Sequence, residues 1–167
     1  GARIVRVEGS YDDSVAEAAR QSAAQGWTVV SDTSWEGYEA IPLTVMQGYG
    51  VMAGEAFDRL AEPPTHIFVQ AGVGGAAAAV AAHAADVYGG LRPKIIVVEP
   101  ERAACLFESA KAGRLTTAHA GEPTVMAMLE CHEASPIAWE ILDGLAAGFV
   151  TLPEKAAPDA MHHLARP

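Results

Sequence analysis

Residues 65–83, THIFVQAGVGGAAAAVAAH, run an apolar, partly β-branched segment into a glycine loop and then at once into an alanine-rich helix pattern. The first N–H groups of a helix have no partner within it and point at whatever anion lies ahead of them. Strand, glycine turn and helix in immediate succession therefore predict a phosphate held at the helix start. Gly72, Gly74 and Gly75 lack a Cβ, so they are free to adopt positive φ and to let backbone N–H groups converge there.

The rest of the chain repeats the alternation. ARIVRVEG and WTVVSD read as strands, separated by a helix over SYDDSVAEAARQSAAQG. Ser10 or Asp12 is its expected cap, Ser14 and Glu17 have capping-box spacing, and Gly26 closes it. IPLTVMQGYGVMAGEAFDRLA reads as a long helix with Pro42 near its first turn, and HIFVQ as the third strand. PKIIVVEP is a near-continuous apolar run, expected as a strand buried on both faces. ERAACLFESAKAG, SPIAWEILDGLAAG and PEKAAPDAMHHLA follow as helices, with a short strand FVTLP before the last. This rhythm predicts an α/β fold: an open, mostly parallel sheet with helices on both faces, three-layered and Rossmann-like.

The 167 residues suffice for one ordinary domain, expected to span 1–167, and the 50% apolar and 19% charged content fits a packed core. A net charge of −10 with three lysines argues against a nucleic-acid partner, which clustered Lys and Arg would have to bind. No stretch qualifies as a membrane span or signal peptide, and two cysteines, Cys105 and Cys131, make no disulfide framework; a cytoplasmic location is expected. A bridge between these two is the weaker alternative to free thiols. The histidine pairings, Cys131-His132 and His162-His163, are sequence neighbours that do not face a common ion, so no metal is expected. Gly1-Ala2 enters a strand within two residues and Pro167 directly follows a helix, a pattern expected of a piece of a longer enzyme.

Two ligands compete for the glycine loop. Gly72-Val73-Gly74-Gly75-Ala76-Ala77 matches the dinucleotide fingerprint, and Glu99, 27 residues after Gly72, stands near the usual place of the ribose-binding acid. That supports an NAD(P)-dependent oxidoreductase. The dinucleotide motif normally opens its sheet, however, and two strand–helix units precede it here, which favours a smaller phosphorylated cofactor. A third reading is a non-catalytic α/β domain that binds only phosphate. Glu99 can also cap the helix that follows it. Asp32, in VVSDTSWEGYEAIP, is expected just past a buried strand, where open parallel sheets bind ligands. It either shapes a turn or, shielded by Trp35, serves as acid or base.

GSYDDSV, GWTVVSDTSWEGYEAIP, VMQGY, PTHIFVQAGVGG, IIVVEPERAACLFESAKAG and SPIAWEIL together resemble the diaminopropionate ammonia-lyases, pyridoxal-phosphate enzymes of the tryptophan-synthase β-subunit type (fold type II). The resemblance covers the whole chain in order. It implies a homodimeric enzyme with pyridoxal 5'-phosphate that degrades a small amino acid, 2,3-diaminopropionate, to pyruvate and ammonia. This chain would be the cofactor-phosphate-binding part of a longer, two-domain enzyme. Gly72, Val73, Gly74 and Gly75 match the loop that cradles the cofactor phosphate, and Asp32 matches an aspartate assigned to α-proton chemistry for one stereoisomer. The family's Schiff-base lysine and a second aspartate belong upstream of the matched residues. None of Lys94, Lys111 and Lys155 lies in a matching motif, so the 167 residues by themselves are expected to be inactive. VMAMLECHEASP departs from a more glycine-rich family stretch on the substrate side.

Overall fold

A computed structural model describes residues 1–119 and 121–166; Pro167, the expected cut end, lies outside them. The chain divides into two compact units, 1–30 and 31–167.

In the first unit a single helix, α1 (Tyr11–Gln25), forms where the polar–alanine pattern predicts it. Ser10 caps the helix and makes a reciprocal capping box with Asp13, in place of the Ser14–Glu17 box that spacing suggested, and Gly26 ends the helix at φ 67°. Glu17 instead binds Arg20 and Gln21 along the helix. The strands expected over 2–9 and 27–32 do not form. Alternation supplies an apolar stripe, but a strand exists only where a neighbour takes its N–H and C=O groups. Among the described residues neither segment has a ladder, and Ile4 (83% exposed) and Val30 (74%) face water.

The second unit is the α/β body. Its helices are α2 (Ala40–Phe57), α3 (Gly75–Tyr88), α4 (Cys105–Ala112), α5 (Pro136–Leu145) and α6 (Ala156–Leu164). Its strands are β1 (His66–Gln70), β2 (Lys94–Pro100) and β3 (Ala146–Leu152), in the order β1-β2-β3 and parallel throughout. Register sets Val69 beside Val97 and Val97 beside Phe149. This is the open parallel sheet of an α/β fold that the alternation predicts. β3 starts earlier than expected because Ala146 and Gly148 pair with Ile95 and Ile96, which draws the alanine-rich tail of α5 into the sheet.

α3 packs between α2 and α5. Ala77, Ala78, Ala81 and Ala84, spaced on one side of α3, are completely buried, and small side chains let the neighbouring helices come close. Ile95, Val97, Leu106 and Leu142 fill the core beneath them. The opposite sheet face is thinly covered: Ile96 and Val98 are half-buried and Phe68 is 70% exposed, so PKIIVVEP is fully buried on one face and partly on the other. The crossovers through α3, and through α4 and α5, gather the loops after β1 and β2 at the carboxyl edge of the sheet, the edge at which open parallel sheets bind ligands.

Candidate functional site

β1 ends at Gln70, and the backbone turns through Gly72, Val73 and Gly74 into α3. The first bond within α3 runs from the Ala78 N–H to the Gly74 carbonyl at 2.9 Å, which leaves the N–H groups of Gly74, Gly75, Ala76 and Ala77 facing outward from the helix start. The first turn carries no carboxylate, unlike that of α1, so no side chain competes for an anion there.

The three glycines are glycine for different reasons. Only Gly74 has positive φ, 99°. A Cβ on it would also meet Ala138 Cβ and Leu106 Cδ1 at 3.1 Å. Gly72 and Gly75 do not use the left-handed freedom that the sequence suggested; at Gly72 packing is too close for a side chain without a shift, whereas at Gly75 an added Cβ would meet its neighbours at ordinary contact distance. A Cβ on Gly72 would lie 3.0 Å from Cys131 Sγ, and one on Gly75 would lie 3.4 Å from the Asp32 carbonyl oxygen and 3.5 Å from Met46 Cγ. Val73 is buried, and its carbonyl accepts the Ser135 N–H at 2.9 Å.

Asp32 is thus brought directly beside the start of α3, although it stands in a loop rather than at a strand end. The loop over 31–38 is folded on itself. Trp35 and Tyr38 exchange backbone hydrogen bonds, and their rings stack with centroids 4.1 Å apart. The Tyr38 hydroxyl accepts the Ser31 N–H at 3.0 Å. Trp35 packs on Tyr38, a partner that the sequence did not suggest for it.

Two buried serines, Ser34 and Ser135, fasten this loop to the body. Ser135 Oγ accepts the Ser34 N–H at 3.0 Å and lies 2.8 Å from Ser34 Oγ, which in turn accepts the Ile137 N–H at 3.1 Å. Ser34 thereby caps α5 across about a hundred residues, while Pro136 presets the helix start. The pair escapes sequence reading, because its spacing matches no local motif. Tyr49, on α2, also escapes it: its hydroxyl donates to Asp32 Oδ2 at 3.2 Å. Burial first, and then the Asp32 charge and this bond, hold the Tyr49 phenol above its ordinary pKa, so it stays a donor.

Glu99 ends β2 and is 1% exposed. Its Oε1 accepts the Leu106 N–H at 2.9 Å and its Oε2 the Phe107 N–H at 2.7 Å, so the carboxyl caps α4. Burial pushes its pKa up to about 7, against the lowering effect of those two bonds. Both oxygens face into the protein, and none is presented to a ribose. The acid that would complete the dinucleotide fingerprint is occupied by the fold. Beneath the loop both cysteines are buried thiols, and no disulfide joins them. The Cys105 thiol lies 3.6 Å from the Gly72 carbonyl and 3.7 Å from Glu99 Oε1, and burial, with Glu99 next, raises its pKa strongly.

The lysines stand elsewhere. Lys94 opens β2, at the sheet edge opposite the glycine loop. Lys111 is tied to Glu108 at 3.0 Å on α4. Lys155 is exposed beyond β3, the strand at the far side from β1. The residues present suit the phosphate end of pyridoxal phosphate: a helix start whose first N–H groups have no partner within the helix, no carboxylate in that first turn, and two glycines, Gly72 and Gly74, where a side chain would crowd its neighbours.

A family model described as pyridoxal-phosphate dependent enzyme matches residues 1–167. The chain belongs to the pyridoxal-phosphate dependent enzyme family. Within it, the diaminopropionate ammonia-lyase of Escherichia coli is 38% identical over 170 residues, matching 100% of this chain and 43% of its own length. The Salmonella typhimurium diaminopropionate ammonia-lyase is also 38% identical, over 173 residues, with the same coverage. The crystal structure of the Escherichia coli enzyme in complex with an aminoacrylate–PLP azomethine reaction intermediate superimposes with a TM-score of 0.88 at 37% identity, covering 96% of this chain and 41% of that one. The chain thus spans less than half the length of these family members, and pyridoxal phosphate is the cofactor of the family to which the glycine loop belongs.

Proposed function

We propose that residues 1–167 form the cofactor-phosphate-binding part of a longer, two-domain, cytoplasmic lyase that converts 2,3-diaminopropionate to pyruvate and ammonia as a homodimer. One observation carries the reading: the Asp32 loop is clamped against the N-terminus of α3, so an acid–base group and a phosphate-binding loop share one place. The similarity to two diaminopropionate ammonia-lyases over the whole chain supports the substrate.

In this reading the backbone N–H groups of Gly72, Val73, Gly74 and Gly75, with those of the first turn of α3, bind and orient the cofactor phosphate. The bound cofactor supplies an electron sink for the pair left when the substrate's α-proton departs. The Asp32 carboxylate takes that α-proton from one stereoisomer, and the serine clamp keeps the carboxylate's loop against the site. The lysine that would hold the cofactor covalently comes from residues other than these. The dinucleotide alternative loses its acid, because Glu99 is spent on capping α4.

The visible spectrum of the full-length enzyme before and after borohydride tests the reading. A yellow band that disappears on reduction, with cofactor left on a lysine preceding this segment, is expected. A colourless protein that takes up no added pyridoxal phosphate overturns it.

A further inference from the structure

We infer that Tyr49 is a positioning residue for Asp32, holding one carboxylate oxygen so that the other faces the substrate. The inference rests on the proposed role of Asp32 in α-proton chemistry and goes beyond it by naming the group that aims the base. Tyr49 lies on the side of α2 that packs toward the site: Met46, three residues before it, and Ala53, four residues after it, are both buried, and Met46 reaches the start of α3 at Gly75. From there the Tyr49 hydroxyl donates to Asp32 Oδ2 at 3.2 Å.

The arrangement separates two tasks. Hydrogen bonds from Tyr38, Ser34 and Ser135 fix the backbone of the 31–38 loop but leave the χ angles of Asp32 free. A carboxylate serves as base only if a lone pair is presented within hydrogen-bond reach of the proton it removes. The Tyr49 hydroxyl is a rigid donor, half-buried and mounted on a helix, and it removes rotational freedom that the loop alone does not. A phenol is already protonated at neutral pH, and burial with the neighbouring negative charge raises its pKa further, so the hydroxyl is available as a donor to Asp32.

The test uses the full-length holoenzyme and both enantiomers of 2,3-diaminopropionate, with Tyr49→Phe and Asp32→Asn compared. Asp32→Asn is expected to abolish turnover of one enantiomer. Tyr49→Phe is expected to lower kcat for that same enantiomer about tenfold, the effect of one lost hydrogen bond to a charged group, with KM within about threefold. The other enantiomer should change less than about twofold in Tyr49→Phe, and the cofactor absorbance should be unaltered. A merely structural role would depress both enantiomers together.

If Asp32→Asn is selective while Tyr49→Phe leaves both enantiomers unchanged, or lowers both equally, the positioning role is wrong and the role of Asp32 stands. If Asp32→Asn is itself unselective, or the wild type makes pyruvate from neither enantiomer, the proposed function fails and the inference falls with it. The contact has its own readout in the Tyr49 ring ¹³Cζ resonance, assigned by its loss in Tyr49→Phe. Asp32→Asn should move its ionisation to lower pH, and an unmoved resonance would refute the hydrogen bond.

Discussion

Glu99 shows how one buried group is decided by competing effects. Two N–H donors from α4 favour its charged form, yet removal from water is the larger influence and pushes its pKa up from 4.5 to about 7. In that window the folded chain holds a proton that the unfolded chain has released. The stability this provides is therefore fully present below about pH 4.5 and is lost as pH rises through 7. Its ceiling, from the width of the window, is about 3 kcal/mol. Glu99→Gln is neutral at every pH and keeps one acceptor for the start of α4. The wild type should accordingly lose stability relative to Glu99→Gln between pH 5 and pH 8, read as urea midpoints at both. Parallel pH profiles for the two proteins would show that Glu99 does not titrate in this range. The same residue marks a limit of sequence reading: its position suits a ribose ligand and a helix cap equally, and only the direction of its oxygens decides.

At the scale of elements, local patterns predict what local forces govern. The apolar run of β1, its glycine stop and the alanine helix α3 are legible because each is set by neighbours within a few residues. The Ser10 cap and Gly26 stop of α1 are legible for the same reason, although its capping box is Ser10–Asp13 and not the Ser14–Glu17 pair that spacing suggested. The segments over 2–9 and 27–32 were not, since alternation cannot say whether a partner strand exists. Asp32 is expected from its strand position at the ligand-binding edge, with the resemblance implying its role, whereas its attachment through Ser34, Ser135 and Tyr49 depends on pairings between distant segments that no period or spacing encodes. The serine clamp makes a measurable claim. Ser135→Ala removes the acceptor of the buried Ser34 N–H and should cost on the order of 1–3 kcal/mol in unfolding free energy. It should also raise amide exchange at Ser34, where the bond is lost. Unchanged stability together with unchanged protection at Ser34 would mean that the loop is held by its Trp35–Tyr38 turn alone.

For the molecule as a whole, the sheet separates what this chain supplies from what it needs. The β1–α3 turn puts the glycine loop at the carboxyl edge of the sheet, and the serine clamp brings the Asp32 loop beside it, so the two groups proposed for phosphate binding and proton transfer lie in one unit. The amine that must hold the cofactor is not: Lys94 lies at the opposite edge of the sheet, Lys111 is paired with Glu108, and Lys155 is exposed past the distant strand β3. A catalytic lysine has to be partly desolvated and aimed at the cofactor, and none of the three is. The 167 residues, supplied with pyridoxal phosphate and either enantiomer of 2,3-diaminopropionate, should therefore form no pyruvate above a protein-free control. Borohydride should trap cofactor only diffusely on these three side chains, as read by peptide mass analysis. The full-length enzyme should trap it on one lysine and release pyruvate. Pyruvate from the 167 residues, with label concentrated on one of their own lysines, would show that this chain supplies the Schiff base itself and that the site extends beyond the glycine and Asp32 loops.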